Sequence, residues 1–242
     1  EEIKQNYKDR FSFYNIKFSE IDKIEIKKNK IKAILFDLGY SYLQIKDPSK
    51  GLSFDSKGKL NMRLGLNDFS ANEVINKLNQ KDLGLIFKYF GEEKDSNIIS
   101  KKIVKERAKS DLNTEKLVHI INSVKKKSGK IHNATKIFQA IRIFVNKELD
   151  VLKKALKDSY EILAPKGRLV LITYHSLEDR VIKDFLVHTD ESKSLPKKMP
   201  VKNDFLMKMF NLISKSIKPT ASEINSNKRA RSAKLNILER CL

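Results

Sequence analysis

Cysteine, acidic charge and long apolar runs are all scarce in this chain. Cys241 is its single cysteine and lies next to last of 242 residues. That excludes a disulfide framework and any cysteine-built metal site. It also points to a reducing, cytoplasmic location. No apolar run approaches the roughly 20 residues that cross a bilayer. No charged n-region followed by an apolar h-region stands at the start, so no membrane association is expected. The length suffices for one large or two modest domains with a real core.

The 30 acidic residues face 50 basic ones, a net charge of +20. Such an excess attracts phosphate backbones through counterion release and also favours anionic lipid. Lysine supplies 41 of the basic residues and arginine only nine. Lysine-filled solvated faces give the same excess, so charge alone leaves both readings open. The arginines are more selective, because a planar fork of donors is not interchangeable with an ammonium. Arg63, Arg142, Arg180, Arg229 and Arg231 all fall in segments that are unusual on other grounds.

Two apolar runs read as buried strands: Ile31–Phe36, ending at Asp37-Leu38-Gly39, and Leu169–Tyr174. Between them the chain reads mostly as helix. Ser70 and Glu73 form a capping-box pattern, Asp82–Phe90 ends at Gly91 as a C′ residue, and Thr114 caps the periodic Leu117, Ile120, Ile121 and Val124. One long helical stretch is expected from about Ala134 towards Leu163, stopped by Pro165 and Gly167. The excursion is too long for a single crossover. The simplest organisation is a helical domain over 46–133 inserted into a parallel-sheet domain formed by 1–45 and 134–242. The stretch from Thr189 onwards reads as looser, with Lys234–Leu238 as a last strand.

Polar residues at the carboxyl ends of such strands are where ligands bind in open α/β sheets. Asp37 can accept from a ligand amine or hydroxyl there, or simply hold a turn, and Gln44 follows seven residues later. His175-Ser-Leu-Glu-Asp-Arg180 places a base, two carboxylates and an arginine after the second strand. Its order is not that of a Ser/His/Asp triad, and it lacks a second histidine for a metal. Ser176 with Asp179 reads as a helix cap. Gln139, Arg142 and Asn146 form a polar ridge at helical spacing that lines a cleft or faces solvent. Arg229-Ala-Arg-Ser-Ala-Lys234 alternates forked cations with small residues, a pattern suited to phosphates.

Taken together these segments resemble one family, the bacterial small-subunit ribosomal RNA cytosine-N4 methyltransferases (RsmH or MraW). The matching blocks run in order: Phe18-Ser-Glu20, Ile34–Gly39 with Gln44, Gly51–Phe54, Asn61–Arg63, Tyr89–Glu93, Thr135–Leu149, Leu163–Leu169, His175–Arg180 and Arg229–Lys234. The resemblance implies an α/β, Rossmann-like S-adenosylmethionine-dependent methyltransferase with an inserted helical, substrate-binding domain. It implies methylation of the exocyclic N4 of cytosine 1402 in 16S rRNA, with S-adenosyl-L-methionine as cofactor and no metal. Phe18, Asp37 and Gln44 match cofactor-contacting positions. Asp37 and His175 are the catalytic candidates. Arg142, Arg229, Arg231 and Lys234 are candidates for contacting RNA in the small ribosomal subunit, and a homodimer is compatible with the pattern. Two rival readings are a methyltransferase acting on another nucleic acid and a non-catalytic RNA-binding or assembly protein.

The chain departs from the family at its front. The family's paired-glycine loop follows its first strand, but none of the eight glycines here lies near the N-terminus or beside another. The family's sheet order, 3-2-1-4-5-7-6, matches Phe11–Phe13 to strand three and Ile31–Phe36 to strand four. The first strands and the glycine loop are therefore expected to be missing from an N-terminally incomplete chain. Asn61 stands where the family more often has aspartate. The expected outcome is that this chain alone binds S-adenosylmethionine weakly or not at all. Calorimetric titration checks it, and a micromolar dissociation constant overturns it.

Overall fold

A computed structural model describes residues 10–25, 29–54, 60–65, 67, 69–125, 132–193 and 207–242. Pro196, Pro200 and most of the expected 125–130 loop lie outside them. In chain order the main elements are β1 (Ile31–Asp37), α1 (Tyr42–Lys46), α2 (Ala71–Lys77), α3 (Gln80–Gly91), α4 (Ser96–Arg107), α5 (Thr114–Val124), α6 (Thr135–Asn146), α7 (Glu148–Ile162), β2 (Leu163–Thr173), α8 (Ser176–His188), β3 (Phe210–Ile217), α9 (Ala221–Ser226) and β4 (Lys234–Arg240). They divide into two compact units, Gly39–Glu148 and the two flanking segments. No helix among the described residues is long and apolar enough to cross a membrane.

The flanking segments form a four-stranded sheet in the order β1-β2-β4-β3. β1 and β2 are parallel, whereas β4 runs antiparallel to both β2 and β3. This order matches the 4-5-7-6 part of the expected sheet and fits a Rossmann-like methyltransferase. Alternation sets the core, since a strand sends successive side chains to opposite faces. Ile34, Phe36, Leu169, Leu171 and Leu238 pack with Leu152 and Leu156 of α7 and with Val181 and Ile182 of α8. The alternate positions form the row Leu35, Val170 and Ile237, paired across the sheet. Leu35 on that row is 62% exposed, and β1 has no strand on its other side among the described residues.

Three expectations are corrected here. Phe11–Phe13 is not a strand, and both phenylalanines are exposed. β3 was not anticipated, because its buried end, Phe210, is followed by a largely exposed run without clean alternation. β2 begins at Leu163, directly after α7 ends at Ile162 as expected, so Pro165 and Gly167 lie inside a strand and not in a turn.

The long helical stretch is two helices. Lys147 adopts φ 51° and closes α6 in the left-handed region. α7 then carries Leu152, Ala155, Leu156 and Ser159 at helical spacing into the sheet's core. α6 instead buries Ile137, Phe138, Ala140 and Ile141 in the helical unit, with Leu83 and Phe87 of α3 and Ile99 and Ile103 of α4. The observed boundaries, Leu38/Gly39 and Glu148/Leu149, therefore differ from the expected 45/46 and 133/134, because α6 belongs with the helices.

The caps also differ in detail. Ser70 N–H donates to Glu73 Oε2 at 2.9 Å, as the capping box requires. The cap of α5 is Asn113, whose Oδ1 accepts from Lys116 N–H, rather than Thr114. Gly91 is the last helical residue of α3, and Glu92 takes the left-handed conformation instead. The reason is packing, because a Cβ on Gly91 would lie 2.7 Å from Lys136 O and 3.2 Å from Ala140 Cβ.

Two outcomes are expected. Gly91→Ala destabilises the helical unit by about 1–3 kcal/mol despite alanine's better helix propensity. Gly84→Ala, whose new Cβ meets nothing closer than 3.4 Å, is neutral or stabilising by up to about 1 kcal/mol. Denaturant unfolding of the two variants separates them. Leu35→Lys on the open edge strand is expected to reduce self-association with little change in melting temperature, since charged edges resist strand addition. Light scattering and thermal melts check this.

Candidate active site at the carboxyl ends of β1 and β2

Parallel pairing brings the ends of β1 and β2 side by side, with Asp37 opposite Ile172. Two residues beyond Ile172, the Tyr174 hydroxyl donates to Asp37 Oδ1 at 2.8 Å. Burial, and next the bond to Asp37, push the Tyr174 hydroxyl up to about 12. The phenol therefore stays protonated and donating where an ordinary tyrosine, ionising near 10, begins to lose its proton. Asp37 Oδ2 accepts no hydrogen bond among the described residues. The site thus holds one carboxylate oxygen fixed by a phenol and a second able to receive an N–H or O–H.

The chain leaves Tyr174 through His175, which caps α8. Its Nδ1 accepts from Glu178 N–H at 3.4 Å, and its Nε2 lies 3.4 Å from Glu178 Oε1. Glu178 is buried, and its Oε2 accepts from Tyr174 N–H at 2.7 Å and His175 N–H at 3.2 Å. The capping pair is thus His175 with Glu178, not Ser176 with Asp179. Asp179 has another task. Its Oδ1 accepts from the Thr173 hydroxyl at 2.7 Å, and its Oδ2 pairs with Lys234 at the start of β4.

Phe18 opens a short 3₁₀ turn, Phe18–Lys23, and its ring lies 5.4 Å from that of Phe36, the neighbour of Asp37. The ring is 38% exposed, which leaves area for stacking. Phe18 and Asp37 thus share the sheet unit. Gln44 belongs to the helical unit. There its Oε1 accepts from Ser41 N–H at 2.9 Å, in the capping box of α1.

The expected RNA contacts fall into two groups. Arg229 and Arg231 lie exposed on a 3₁₀ turn, Lys228–Ser232, with Ala230 buried between them. Alternation of cation and small residue therefore turns both arginines outward. Arg142 and Lys234 instead hold internal carboxylates. Arg142 Nε and NH2 donate to the two oxygens of Glu148 at 2.8 and 3.0 Å, and its guanidinium lies 4.5 Å from the Tyr40 ring centre. Asn146, on the same ridge, donates to Met62 O and accepts from Leu64 N–H. That ridge ties α6 to its own unit.

Sequence reasoning missed Tyr174 and Glu178 as site residues. Tyr174 lay within the segment singled out, but its partner, Asp37, is 137 positions away in sequence. Only the parallel pairing joins them.

The MraW methylase family matches residues 1–241. A protein of Wigglesworthia glossinidia brevipalpis, named ribosomal RNA small subunit methyltransferase H, is 44% identical over 92% of this chain and 75% of its own length. A protein of the same name from Rickettsia bellii is 41% identical over 97% of the chain and 78% of its length. Another, from Caldicellulosiruptor saccharolyticus, is 41% identical over 92% and 75%. A match of this extent, on a sheet of this order, shows that the chain belongs to the MraW methylase family and is a methyltransferase.

Proposed function

We propose that this chain methylates the exocyclic N4 of a cytosine in the 16S rRNA of the small ribosomal subunit, cytosine 1402, with S-adenosyl-L-methionine as methyl donor, in the cytoplasm. Its relatives carry the name ribosomal RNA small subunit methyltransferase H, and the net charge of +20 suits an RNA substrate. The observation that carries the reading is the half-engaged carboxylate of Asp37 beside Tyr174.

The residues present fit part of the cofactor. Phe18 offers an aromatic face beside Phe36 in the sheet unit. The cofactor, when bound, supplies an electrophilic methyl group. The protein's part is positioning, which accounts for much of such catalysis. A cytosine amino nitrogen is a poor nucleophile because its lone pair is conjugated into the ring. Asp37 Oδ2, accepting one amino N–H, turns that nitrogen and favours charge building on it. Tyr174 prevents the carboxylate from rotating away. His175 acts here as a positioning residue, because its ring fixes the turn that carries Tyr174. The target base has to leave its stack to reach Asp37. The helical unit binds substrate, and Arg229 and Arg231 hold phosphates, with Lys234 bracing the start of β4 against Asp179.

Methyl transfer from labelled cofactor at millimolar concentration, to 30S subunits, naked 16S RNA and DNA, tests the reading. N4-methylcytidine in the digested rRNA is expected, and label only in DNA or in other RNA nucleosides sinks it. Asp37→Asn is expected to lower the rate by about 100-fold or more. Tyr174→Phe is expected to lower it by roughly tenfold, the effect of losing one carboxylate-orienting bond. Absorbance titration of the phenols provides the pH check. Tyr174 is expected to ionise near pH 12, and Tyr174→Phe removes that step. Its pKa is raised on folding, so its contribution to stability is present below the unfolded value and is lost as pH rises through about 12.

A further inference from the structure

A cavity of about 630 Å³ lies in the sheet unit, between α8 and the β3–β4 hairpin. Its floor is apolar: Ile182 and Leu186 from α8, Phe210 and Leu212 from β3. Phe210 is locked there by ring contacts with Tyr160 and Phe185 at 5.7 and 6.1 Å, while Leu212 is 45% exposed. Five cations and two acids line the walls. Both acids are already matched, Asp179 to Lys234 and Asp190 to Lys208. Lys183 on α8 and Lys215 on β3 have no carboxylate partner among the described residues. Asn236 also lines the cavity; its Oδ1 accepts from Ser216 N–H at 3.1 Å, and its Nδ2 is buried without an acceptor.

We propose that this cavity takes one unpaired nucleotide of the RNA substrate, beside the base that is methylated. Its volume falls within the range of small-molecule sites. Phe210 is only 1% exposed, so the apolar surface open to a base is that of Leu186 and Leu212, and the cations around it suit phosphates. A bare lipid headgroup or free phosphate has no use for the floor. The location is suitable as well, because the Asp179 wall is bonded to Thr173, whose neighbour Tyr174 holds Asp37. Lys183 and Lys215, on two different elements, both line the cavity. The inference rests on the RNA-methyltransferase reading for the identity of the ligand.

The test uses the full chain, a single-stranded RNA 12-mer and fluorescence anisotropy over a salt series. The double variant Lys183→Gln/Lys215→Gln is expected to bind roughly tenfold more weakly, with the slope of log affinity against log salt smaller by about 1.4. The charge-matched double variant Lys153→Gln/Lys157→Gln, on α7 of the same unit, is expected to bind as the parent does. With 4-thiouridine in the RNA, crosslinks are expected on the β3 peptide containing Phe210–Lys215. Unchanged affinity and slope in the first variant, an equal loss in the second, or crosslinks confined to other peptides overturns the proposal. Loss of phosphatidylserine-vesicle binding with RNA binding intact overturns it in favour of lipid. Crosslinking at β3 without methyl transfer to any rRNA leaves the cavity standing and sinks the enzymatic reading. Methyl transfer and RNA binding that both survive in the first variant do the reverse.

Discussion

The parallel pairing of β1 with β2 is the constraint on which the site depends. Neither strand end is informative alone, since a carboxylate after a buried strand is often a turn residue. Pairing Asp37 with Ile172 sets Tyr174 within hydrogen-bonding distance of the carboxylate and leaves the second oxygen open. The same register places Thr173 over Asp179, and through Asp179 brings the first residue of β4 to the end of β2. A slip of one residue would exchange the faces of the strand. Asp37 would then turn towards the core and Phe36 towards the ligand side.

The polar residues around this register divide their work. Asp37 keeps an oxygen for a ligand, while the carboxylates nearby are fully occupied with the protein. Glu178 holds two backbone N–H groups at the mouth of α8. Asp179 is bonded to Thr173 and Lys234. Burial of such acids is tolerated because each finds donors within reach. An unoccupied carboxylate oxygen therefore stands out from its surroundings.

Much of this was legible in the sequence, for identifiable reasons. The strands of Ile31–Phe36 and Leu169–Tyr174 are dense apolar runs with β-branched residues, and the helices over 70–124 carry period and caps. The family resemblance rested on nine ordered blocks and was upheld. Legibility failed where local preference and tertiary packing disagree. Nothing in Val145-Asn-Lys-Glu148 announces a left-handed residue, since lysine is a good helix former. The break follows from α6 and α7 burying their apolar stripes in different cores. Gly91 looked like a helix terminator and is instead the point where two helices touch. Arginine's rarity and the polar ridge single out Arg142, but neither reveals that its fork is used on Glu148.

The division of the sheet unit by the helical unit has a consequence for how the molecule folds. β1 and β2 cannot pair until the whole of Gly39–Glu148 has been bridged, and closing so long a disordered span carries an entropic penalty before any sheet contact repays it. The helical unit has a core of its own, separate from that of the sheet. Once it is compact, the span to be closed is no longer a flexible coil, so early helix assembly accelerates the union of the two strands. The order of events in time then runs opposite to the order along the chain, with β1 made first and placed late.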